Sequence, residues 1–313
     1  MHTLAWPRLL IGTAAILTLS SVAPAGTTLV ESAPPIAIET APTEPTPSLP
    51  ALRLPSGKPE LKSSAVLVFD AEDSAVLYAR QAKRPQPVAS ITKMMTALVA
   101  LESDQSLDDL VKITKEDRDT VYGSHSRLTV GAQLSRGDLL HLALMSSDNR
   151  AAHAIGRTYP GGLGKFVRAM NRKAQVLGMK SAKFVDPTGL SSGNVASAED
   201  LAKLVIAAAN DPVIQTFSTN AHYTVKVGKQ QLEFRNTNAL VSKADWSIAV
   251  QKTGYTQAAG QCLVMQAMIQ ERPIVIVLLN SFGKYTRVAD ARRIRRWMEA
   301  NTQPALASAA KGP

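Results

Sequence analysis

Alternation between apolar and polar positions divides the chain into strand-like and helix-like stretches from about Leu61 onward. Two β-rich runs, about Ala65–Phe69 and Ala75–Tyr78, are separated by Asp, Glu and Ser, which predicts a hairpin. An apolar helix is predicted next, in "SITKMMTALVALE" after Pro87. The folded part therefore opens with sheet structure and continues into helices.

The middle of the chain is predicted to be helical. Ser135 is a candidate N-cap for "SRGDLLHLALM", and "NRAAHAIGRTY" follows it. In "GKFVRAMNRKAQVLG", Phe166 and Met170 recur at helical spacing. Ser197 and Asp200 have the spacing of a capping box at the start of "SAEDLAKLVIAAAN".

After these helices the pattern returns to strands. "HYTVKVGKQQLEFRN" alternates about Gly228 as a hairpin, and "WSIAVQKTGYT", "AGQCLVMQAMIQ" and "PIVIVLLNSFG" predict three more strands, the last two joined by an "ERP" turn. A final helix is predicted in "TRVADARRIRRWMEANT". This order predicts one α+β domain, in which a helical region packs against a sheet whose edges come from both chain ends.

The two ends of the chain have a different character. Residues 1–25 combine Arg8, an apolar run and Ala23-Pro24-Ala25, which predicts a secretory signal peptide cleaved after Ala25 and a periplasmic protein. An uncleaved anchor is the alternative, but the apolar run is shorter than the roughly 20 residues that span a bilayer. We expect a disordered Pro-rich linker at 26–60, the folded domain at 61–302 and a flexible tail at 303–313.

Composition narrows the classes of partner. The 313-residue chain carries a net charge of +10, which for an exported protein favours an anionic surface or polymer and not nucleic acid. Its one cysteine, Cys262, lacks an internal disulfide partner and has the apolar neighbours of a small core residue. The sequence has no evident spacing of metal ligands, so it implies neither a metal nor a cofactor.

Ser90 and Lys93 raise a question of chemistry at the head of the first predicted helix. Residues three apart share a helix face, so the hydroxyl and the amine can touch. Burial lowers the pKa of a lysine, and a neutral amine can take the serine proton. The alternative is that Ser90 caps the helix and Lys93 extends to solvent. S-x-x-K is a weak motif, and taken alone it favours this alternative.

Two further stretches add to this pair. Ser147, Asp148 and Asn149 lie at a predicted break between two helices, where a hydroxyl and a carboxamide can project into a cleft. "KTG", Lys252 to Gly254, ends an apolar strand and can dock an extended peptide while its cation and hydroxyl bind a carboxylate. In isolation, a helix cap and a strand end followed by a glycine turn are the better explanations of the two stretches.

Taken together and in this order, S-x-x-K, S-D-N and K-T-G are the joint signature of class A β-lactamases and penicillin-binding proteins. "GMKSAKFVDPTGLSSGNVASAEDLAKL" and "RNTNALV" extend the similarity. The chain resembles the low-molecular-mass D-alanyl-D-alanine peptidases, and among them the endopeptidases of the penicillin-binding protein 7/8 type. The resemblance implies a serine β-lactamase/DD-peptidase-like fold: an antiparallel sheet flanked by N- and C-terminal helices, with a helical subdomain.

The resemblance also implies catalytic roles. Ser90 would attack the D-Ala carbonyl to form an acyl-enzyme, and Lys93 would be its base. Ser147 would relay a proton to the leaving amine. The backbone N–H groups of Ser90 and Tyr255 would form the oxyanion hole.

Substrate binding is implied for Asn149, Lys252, Thr253 and Gly254. Asn149 would hydrogen-bond the substrate backbone, and Lys252 and Thr253 would bind a carboxylate or help to protonate the leaving group. The implied partners are peptidoglycan stem peptides and their cross-links, with β-lactams as covalent inhibitors. The histidines have no role in this scheme: His141 and His153 lie on helical segments near the second motif and are expected to be packing or surface residues. Partner enzymes are not predicted.

Three other functions are alternatives to that of an endopeptidase. A class A β-lactamase needs a glutamate between the second and third motifs, but the first glutamate after Asn149 is Glu199, and only Asp186 is acidic before it. A carboxypeptidase of the family usually carries a second β-rich domain and a C-terminal amphipathic anchor. A non-catalytic peptidoglycan or β-lactam receptor would have no evident need for Lys93 beside Ser90.

The final helix bears on the choice between endopeptidase and carboxypeptidase. A basic amphipathic helix can lie on a membrane, but apolar residues at helical spacing favour a helix packed on the sheet with a solvated basic face. The apolar positions are Val288, Ala291, Ile294 and Met298, and the basic ones are Arg287, Arg292, Arg293, Arg295 and Arg296.

Overall fold

The computed structural model describes residues 57–121 and 123–300. The predicted signal peptide, nearly all of the predicted linker and the predicted tail lie outside these residues. The predicted boundaries of the folded domain, 61 and 302, stay predictions.

The central feature is a five-stranded antiparallel sheet with the strand order β2-β1-β11-β10-β9. Its strands are β1 (Ser63–Asp70), β2 (Ala75–Arg80), β9 (Ser247–Thr256), β10 (Gly260–Ile269) and β11 (Arg272–Ser281). The first strand of the domain pairs directly with the last. This confirms the predicted α+β class with a sheet drawn from both ends of the chain.

Helices and three small strand pairs surround the sheet. The helices are α1 (Thr92–Leu101), α2 (Arg136–Met145), α3 (Asn149–Arg157), α4 (Gly162–Val176), α5 (Ala198–Ala209), α6 (Pro212–Thr219) and α7 (Thr286–Glu299). The strand pairs are β3 (Gln86–Pro87) with β6 (Val195–Ala196), β4 (Leu110–Lys112) with β5 (Gln133–Ser135), and β7 (His222–Val227) with β8 (Gln230–Arg235).

Both faces of the sheet are covered, which explains why β1 has an unbroken apolar run. Ala65 and Leu67 pack into the core shared with the helical region, whereas Val66 and Val68 face the opposite side. On that opposite side lie the apolar residues of α7, with Ala291, Ile294 and Met298 buried. The predicted packing of the final helix on the sheet is therefore confirmed.

Side-chain caps set the starts of the helices near the site. Ser135 Oγ accepts the Asp138 N–H at 3.0 Å, as its predicted N-cap position requires. Ser197 and Asp200 form the predicted capping box of α5. Both caps begin helices whose buried faces join the main core.

Two sequence expectations about this part of the chain were wrong. Helix α6 intervenes where only strands were expected: the Asp211 carboxylate caps it by accepting the Val213 and Ile214 N–H groups, and Pro212 occupies its first turn. The turn between β10 and β11 is Gln270-Glu271 and not "ERP", since these two residues have φ values of 54° and 61°. A two-residue turn of this hand matches the twist of the flanking strands.

Two further observations concern burial and membranes. Cys262 is buried, as expected of a small core residue, and burial raises the pKa of its thiol to about 11. Within residues 57–121 and 123–300, no helix combines the length and the apolar character needed to cross a bilayer.

Candidate active site

Ser90 lies in a single turn of 3₁₀ helix, Ala89–Ile91, immediately before α1. The turn replaces the regular helix start expected from the sequence, because Ala89 has a left-handed φ of 48°. Thr92 Oγ1 donates to the Ala89 carbonyl at 2.8 Å and closes the turn. Ser90 itself is half-buried, so its hydroxyl is open to one side.

Lys93 occupies the next turn of the helix and is fully buried. Its Nζ lies 2.8 Å from Ser90 Oγ, 2.7 Å from Asn149 Oδ1 and 2.6 Å from the Thr188 carbonyl. Burial lowers the pKa of Lys93 to about 7, and the more distant carboxylates of Asp148, Asp186 and Asp119 oppose that shift. The amine is thus poised between its charged and neutral forms at neutral pH.

The three neighbours of Lys93 direct its lone pair. A neutral amine has two N–H donors and one acceptor site, and carbonyl oxygens can only accept. The oxygens of Asn149 and Thr188 therefore take the two N–H groups. The lone pair is left facing Ser90, the one of the three neighbours whose hydroxyl can donate.

The Ser147–Asn149 segment lies between α2 and α3, as predicted. Ser147 has a left-handed φ of 63° and is half-buried. Asp148 is the N-cap of α3: it accepts the Ala151 N–H at 2.9 Å and the Ser126 hydroxyl at 2.7 Å. No hydrogen bond among the described residues joins Ser147 directly to Ser90 or Lys93.

The Asn149 side chain connects Lys93 to the loop before α2. While Oδ1 accepts from Lys93, Nδ2 donates to Ser124 Oγ at 2.8 Å. One N–H of the carboxamide thus remains for another acceptor. The predicted contact of Asn149 with substrate depends on that second N–H.

Lys252, Thr253 and Gly254 lie inside β9, which is an edge strand of the sheet, and not at its end as expected. Lys252 is fully buried, and its pKa lies well below the usual value because of burial first and the charges of Lys93 and Arg287 second. Thr253 Oγ1 lies 2.6 Å from Thr237 Oγ1.

Gly254 and Gly189 let two backbone segments approach the serine turn. A methyl group placed on Gly254 would lie 3.0 Å from the Val88 carbonyl and 3.1 Å from the Ser90 nitrogen. On Gly189, which has a φ of 83°, the methyl group would lie 1.9 Å from the Ala89 carbonyl. The third motif and the 186–191 loop therefore converge on the two sides of Ser90.

The 186–191 loop was not predicted as part of the site. The Asp186 carboxylate organises it by accepting from the N–H groups of Thr188, Gly189 and Ser191 at 2.7, 2.8 and 3.1 Å. The Thr188 hydroxyl also donates to Asp186 at 2.6 Å. The sequence signal for this loop was "DPTG", an acidic residue followed by residues that favour turns. The loop contacts Lys93 through the backbone carbonyl of Thr188, and no side-chain motif predicts such a contact.

Arg287 is a second residue that sequence reasoning missed. It was expected on the solvated basic face of α7, yet its Nη1 donates to the Gly254 carbonyl at 2.7 Å and to the Cys262 carbonyl at 3.3 Å. Burial lowers its pKa. At the first turn of α7 its side chain reaches the backbone of β9 and β10, so it does not belong to that face.

A cavity of about 270 Å³ adjoins Asn149 and Thr188. His153 lies on its wall, with Nδ1 2.8 Å from Asp117 Oδ1. Burial would raise the pKa of Asp117, but hydrogen bonds from His153 and Arg157 lower it below its usual range. His153, which was expected to be a packing or surface residue, thus lines this cavity.

His141 is a packing residue, as expected. It is buried, its ring stacks on Phe217 with centroids 4.5 Å apart, and it lies 3.8 Å from the ring of Tyr223. Burial lowers its pKa to about 4. Across the described residues, no group of three or more His, Cys, Asp or Glu side chains is arranged to hold a metal ion.

Known proteins are similar to this chain in sequence and in fold. The model of the S11 peptidase family, described as D-alanyl-D-alanine carboxypeptidase, matches residues 54–283. A D-alanyl-D-alanine endopeptidase of Pseudomonas aeruginosa is 46% identical, over 80% of this chain and 82% of that protein. One of Escherichia coli is 43% identical, over 78% and 79%.

Two further comparisons extend these matches. The crystal structure of the Streptomyces K15 DD-transpeptidase superposes with a TM-score of 0.73 at 27% identity, covering 78% of this chain and 99% of that one. Relatives named as D-alanyl-D-alanine carboxypeptidases are 28% to 32% identical. The expected DD-peptidase-like fold is confirmed, and the chain belongs to the S11 family of serine D-alanyl-D-alanine peptidases.

Proposed function

We propose that this protein is a serine D-alanyl-D-alanine endopeptidase that hydrolyses the peptide cross-links of peptidoglycan through an acyl-enzyme on Ser90. The observation that carries the proposal is the environment of Lys93. Its buried amine has a pKa of about 7, gives its N–H groups to two carbonyl oxygens and lies 2.8 Å from Ser90 Oγ.

In the acylation step, Ser90 Oγ bonds to the D-Ala carbonyl carbon as its proton passes to Lys93. The protonated amine then has three N–H donors for the three oxygens already around it, so the charge that it gains is solvated without rearrangement. The backbone N–H groups of Ser90 and Tyr255 stabilise the oxyanion. Collapse breaks the peptide C–N bond, and the leaving amine takes the proton from Lys93 through Ser147, which leaves Lys93 neutral again.

The substrate is held along the edge strand β9. Thr253 binds a substrate carboxylate, and the negative charge of that carboxylate favours the charged form of the buried Lys252 beside it. Asn149 uses its free N–H for the substrate backbone. Gly254 lets the peptide and the Ser90 turn approach each other closely. In the second step, Lys93 takes a proton from water as the hydroxide attacks the ester. Lys93 then returns that proton to Ser90 Oγ as the ester C–O bond breaks, which restores the free enzyme.

The ester that penicillin forms with Ser90 is expected to be long-lived. For the same reason, the protein is not expected to be a β-lactamase. Asp186, the one acidic side chain between Asn149 and Glu199, has its carboxylate occupied by donors of its own loop. A carboxylate saturated in this way has little capacity to activate a deacylating water. Penicillin should therefore acylate Ser90 and be hydrolysed slowly.

Endopeptidase activity is favoured over carboxypeptidase activity by two observations. Relatives named as endopeptidases are 43% to 46% identical, against 28% to 32% for those named as carboxypeptidases. The final helix α7 packs its apolar face on the sheet. The net charge of +10 supports a salt-sensitive attachment of the exported protein to peptidoglycan carboxylates in the periplasm.

Digestion of purified sacculi tests the proposal, with muropeptides separated by chromatography and identified by mass beside a Ser90→Ala control. Conversion of cross-linked dimers to monomers by the intact serine alone is the expected result. Persistence of dimers with release of terminal D-Ala would make the protein a carboxypeptidase. No change at all would favour the non-catalytic receptor.

Replacement of Lys93 tests the base. Lys93→Ala should abolish acylation of Ser90 by fluorescent penicillin, measured by gel fluorescence, whereas Lys243→Ala, at an exposed lysine, should leave the rate unchanged. Melting temperatures of the two variants establish that both are folded. Acylation of Lys93→Ala at the normal rate would contradict the assignment of Lys93 as the base.

A further inference from the structure

An open groove of about 680 Å³ adjoins the end of β9, and Tyr255 is the one residue assigned to catalysis or substrate binding that lines it. It lies between the turn that joins β9 to β10 and the loop that follows β11. We call it the aromatic groove; its walls include Tyr255, Gln257, Gln261, Asn280, Phe282 and Lys284. None of the described residues that line it is acidic.

The aromatic side chains here are far more exposed than packing requires. Phe282 is 88% exposed and Tyr255 is 61% exposed, and Tyr285, three residues after Phe282, is 74% exposed. The Lys284 ammonium lies 5.5 Å from the centre of the Tyr285 ring. Exposed apolar side chains that cluster around a concave surface are typical of binding sites. In the absence of a ligand, such side chains would stabilise the protein more if they were buried in its core.

The floor of the groove is built from an unusual backbone. Asn280 has a left-handed φ of 48°, and a methyl group on Gly260 would lie 2.4 Å from Asn280 Oδ1. Glycine at 260 is therefore needed for the carboxamide to lie where it does. Gln257, Gln261 and Asn280 line the same groove as the aromatic rings, and their amide groups can both donate and accept hydrogen bonds.

Amide groups beside exposed rings suit one class of ligand. A sugar ring presents apolar C–H faces, which pack on aromatic side chains, and an edge of hydroxyl and acetamido groups, which pair with carboxamides. A lipid surface would instead favour a convex apolar tip with several cations, whereas this site is concave and Lys284 is the single cation among the described residues that line it. The chemistry favours a neutral polysaccharide.

The position of the groove supports the same choice. Tyr255 belongs both to the proposed oxyanion hole and to the wall of the groove, so the groove continues the substrate cleft. A stem peptide paired with β9 would leave the cleft over Thr256 and reach the groove. The chain attached to that peptide is the glycan strand.

We propose that the aromatic groove binds the glycan strand of peptidoglycan, with Phe282 as the stacking residue. The proposal rests on the proposed function for the identity of the polymer. It adds a site that selects polymeric over small substrates: the groove raises the affinity for strands that carry the cross-link, while the chemistry at Ser90 is unchanged.

Binding tests the groove without any catalysis. Peptide-free glycan strands, prepared by removing the stem peptides enzymatically, are titrated into the wild-type protein, Phe282→Ala and Val176→Ala while tryptophan fluorescence or calorimetry is followed. Val176, on α4, is 79% exposed and serves as the matched control. We expect Phe282→Ala to weaken binding at least tenfold and Val176→Ala to match the wild type.

Activity separates the groove from the active site. Phe282→Ala should cleave a sugar-free cross-linked peptide dimer at the wild-type rate but lose at least fivefold in kcat/KM on sacculi, with Phe282→Trp restoring it. If no form of the protein cleaves either substrate, the proposed function fails, while glycan binding still decides the groove. Glycan affinity that is absent in the wild type or unaltered in Phe282→Ala would overturn the proposal, as would binding of anionic vesicles instead.

Discussion

Lys93 is buried without a carboxylate in contact with its amine, and this sets how the site responds to pH. Its neighbours within hydrogen-bonding distance, Ser90, Asn149 and Thr188, are all uncharged. Among the described residues, no opposite charge in direct contact therefore offsets the lost hydration of the ammonium, and burial lowers its pKa to about 7. Only the neutral form can take the Ser90 proton.

Acylation of Ser90 by a β-lactam should therefore rise with pH through about 7. Below that value Lys93 is protonated, so we expect the second-order rate to fall by about tenfold for each pH unit. Above it, the rate should level off. Stopped-flow or gel measurements with fluorescent penicillin between pH 5.5 and 8.5 give this profile.

Asp148→Asn supplies the control for that profile. The Asp148 carboxylate is the largest of the charges that raise the pKa of Lys93, so its removal should move the inflection to lower pH. Asparagine retains an oxygen for the N-cap of α3. An inflection that stays in place would mean that another group titrates.

Gly189→Ala tests how closely the 186–191 loop must approach the serine turn. The new methyl group would lie 1.9 Å from the Ala89 carbonyl, so the turn or the loop must shift. We expect acylation of Ser90 to slow by at least about tenfold, because small displacements of reacting groups are costly. The measurement is the rate of penicillin acylation.

Gly162→Ala is the control that distinguishes the effect of this close contact from the effect of backbone strain. Gly162 has a φ of 79°, close to the 83° of Gly189, but a methyl group there meets nothing within 4 Å. Both variants carry the strain of a left-handed alanine, about 1 kcal/mol, and only Gly189→Ala should lose acylation. Equal rates for the two variants would show that the close approach does not position Ser90.

At the scale of elements, helix α2 is joined to α6 and to β7 through His141. The ring lies against Phe217 and Tyr223, and Asn220 Nδ2 is 3.3 Å from Nε2. Burial lowers the pKa of His141 from 6.5 to about 4, although Asp138 opposes the shift. Between these values the unfolded chain binds a proton that the folded protein does not, so stability should fall as the pH falls through this window.

His141→Phe should reduce that loss of stability on acidification. Phenylalanine keeps the ring contacts but cannot be protonated, so between pH 7 and pH 4.5 the variant should lose less free energy of unfolding than the wild type, by at most about 2.5 kcal/mol. Urea unfolding at the two pH values measures the difference. Identical losses in the two proteins would mean that His141 is not held neutral.

Elements whose signals are local were predictable from the sequence. The caps at Ser135 and Ser197, the β7–β8 hairpin and the apolar face of α7 follow from side-chain patterns within one or two turns. Helix α6 was missed because its β-branched residues resemble a strand, although Asp211 and Pro212 mark its start.

The site shows the same division between local and long-range signals. The contact of Lys93 with Ser90 followed from their spacing, and the convergence of the three motifs followed from a resemblance. The Thr188 carbonyl, 95 positions from Lys93, and the Arg287 guanidinium, 33 positions from Gly254, are brought in by tertiary packing. Sequence patterns that extend over only a few residues cannot predict such contacts.

At the scale of the whole molecule, one buried carboxylate ties the two ends of the described domain together. Asp290 of α7 accepts from the Lys62 and Ser63 N–H groups at 2.9 and 2.7 Å and from the Ser63 hydroxyl at 2.6 Å. Ser63 pairs with Ser281 across β1 and β11. The same helix carries Arg287 to the Gly254 carbonyl, so this junction also supports the third motif.

Asp290→Ala should therefore destabilise the whole domain, by about 3 kcal/mol, because it leaves buried N–H and hydroxyl groups without an acceptor. Arg293, which donates to Asp290 at 2.6 Å, is 31% exposed, and its loss leaves the contacts with Lys62 and Ser63 in place. Arg293→Ala should cost no more than about 1 kcal/mol. Urea denaturation compares the two variants with the wild type. Equal costs would show that the ion pair, and not the closure of the chain ends, is what Asp290 contributes.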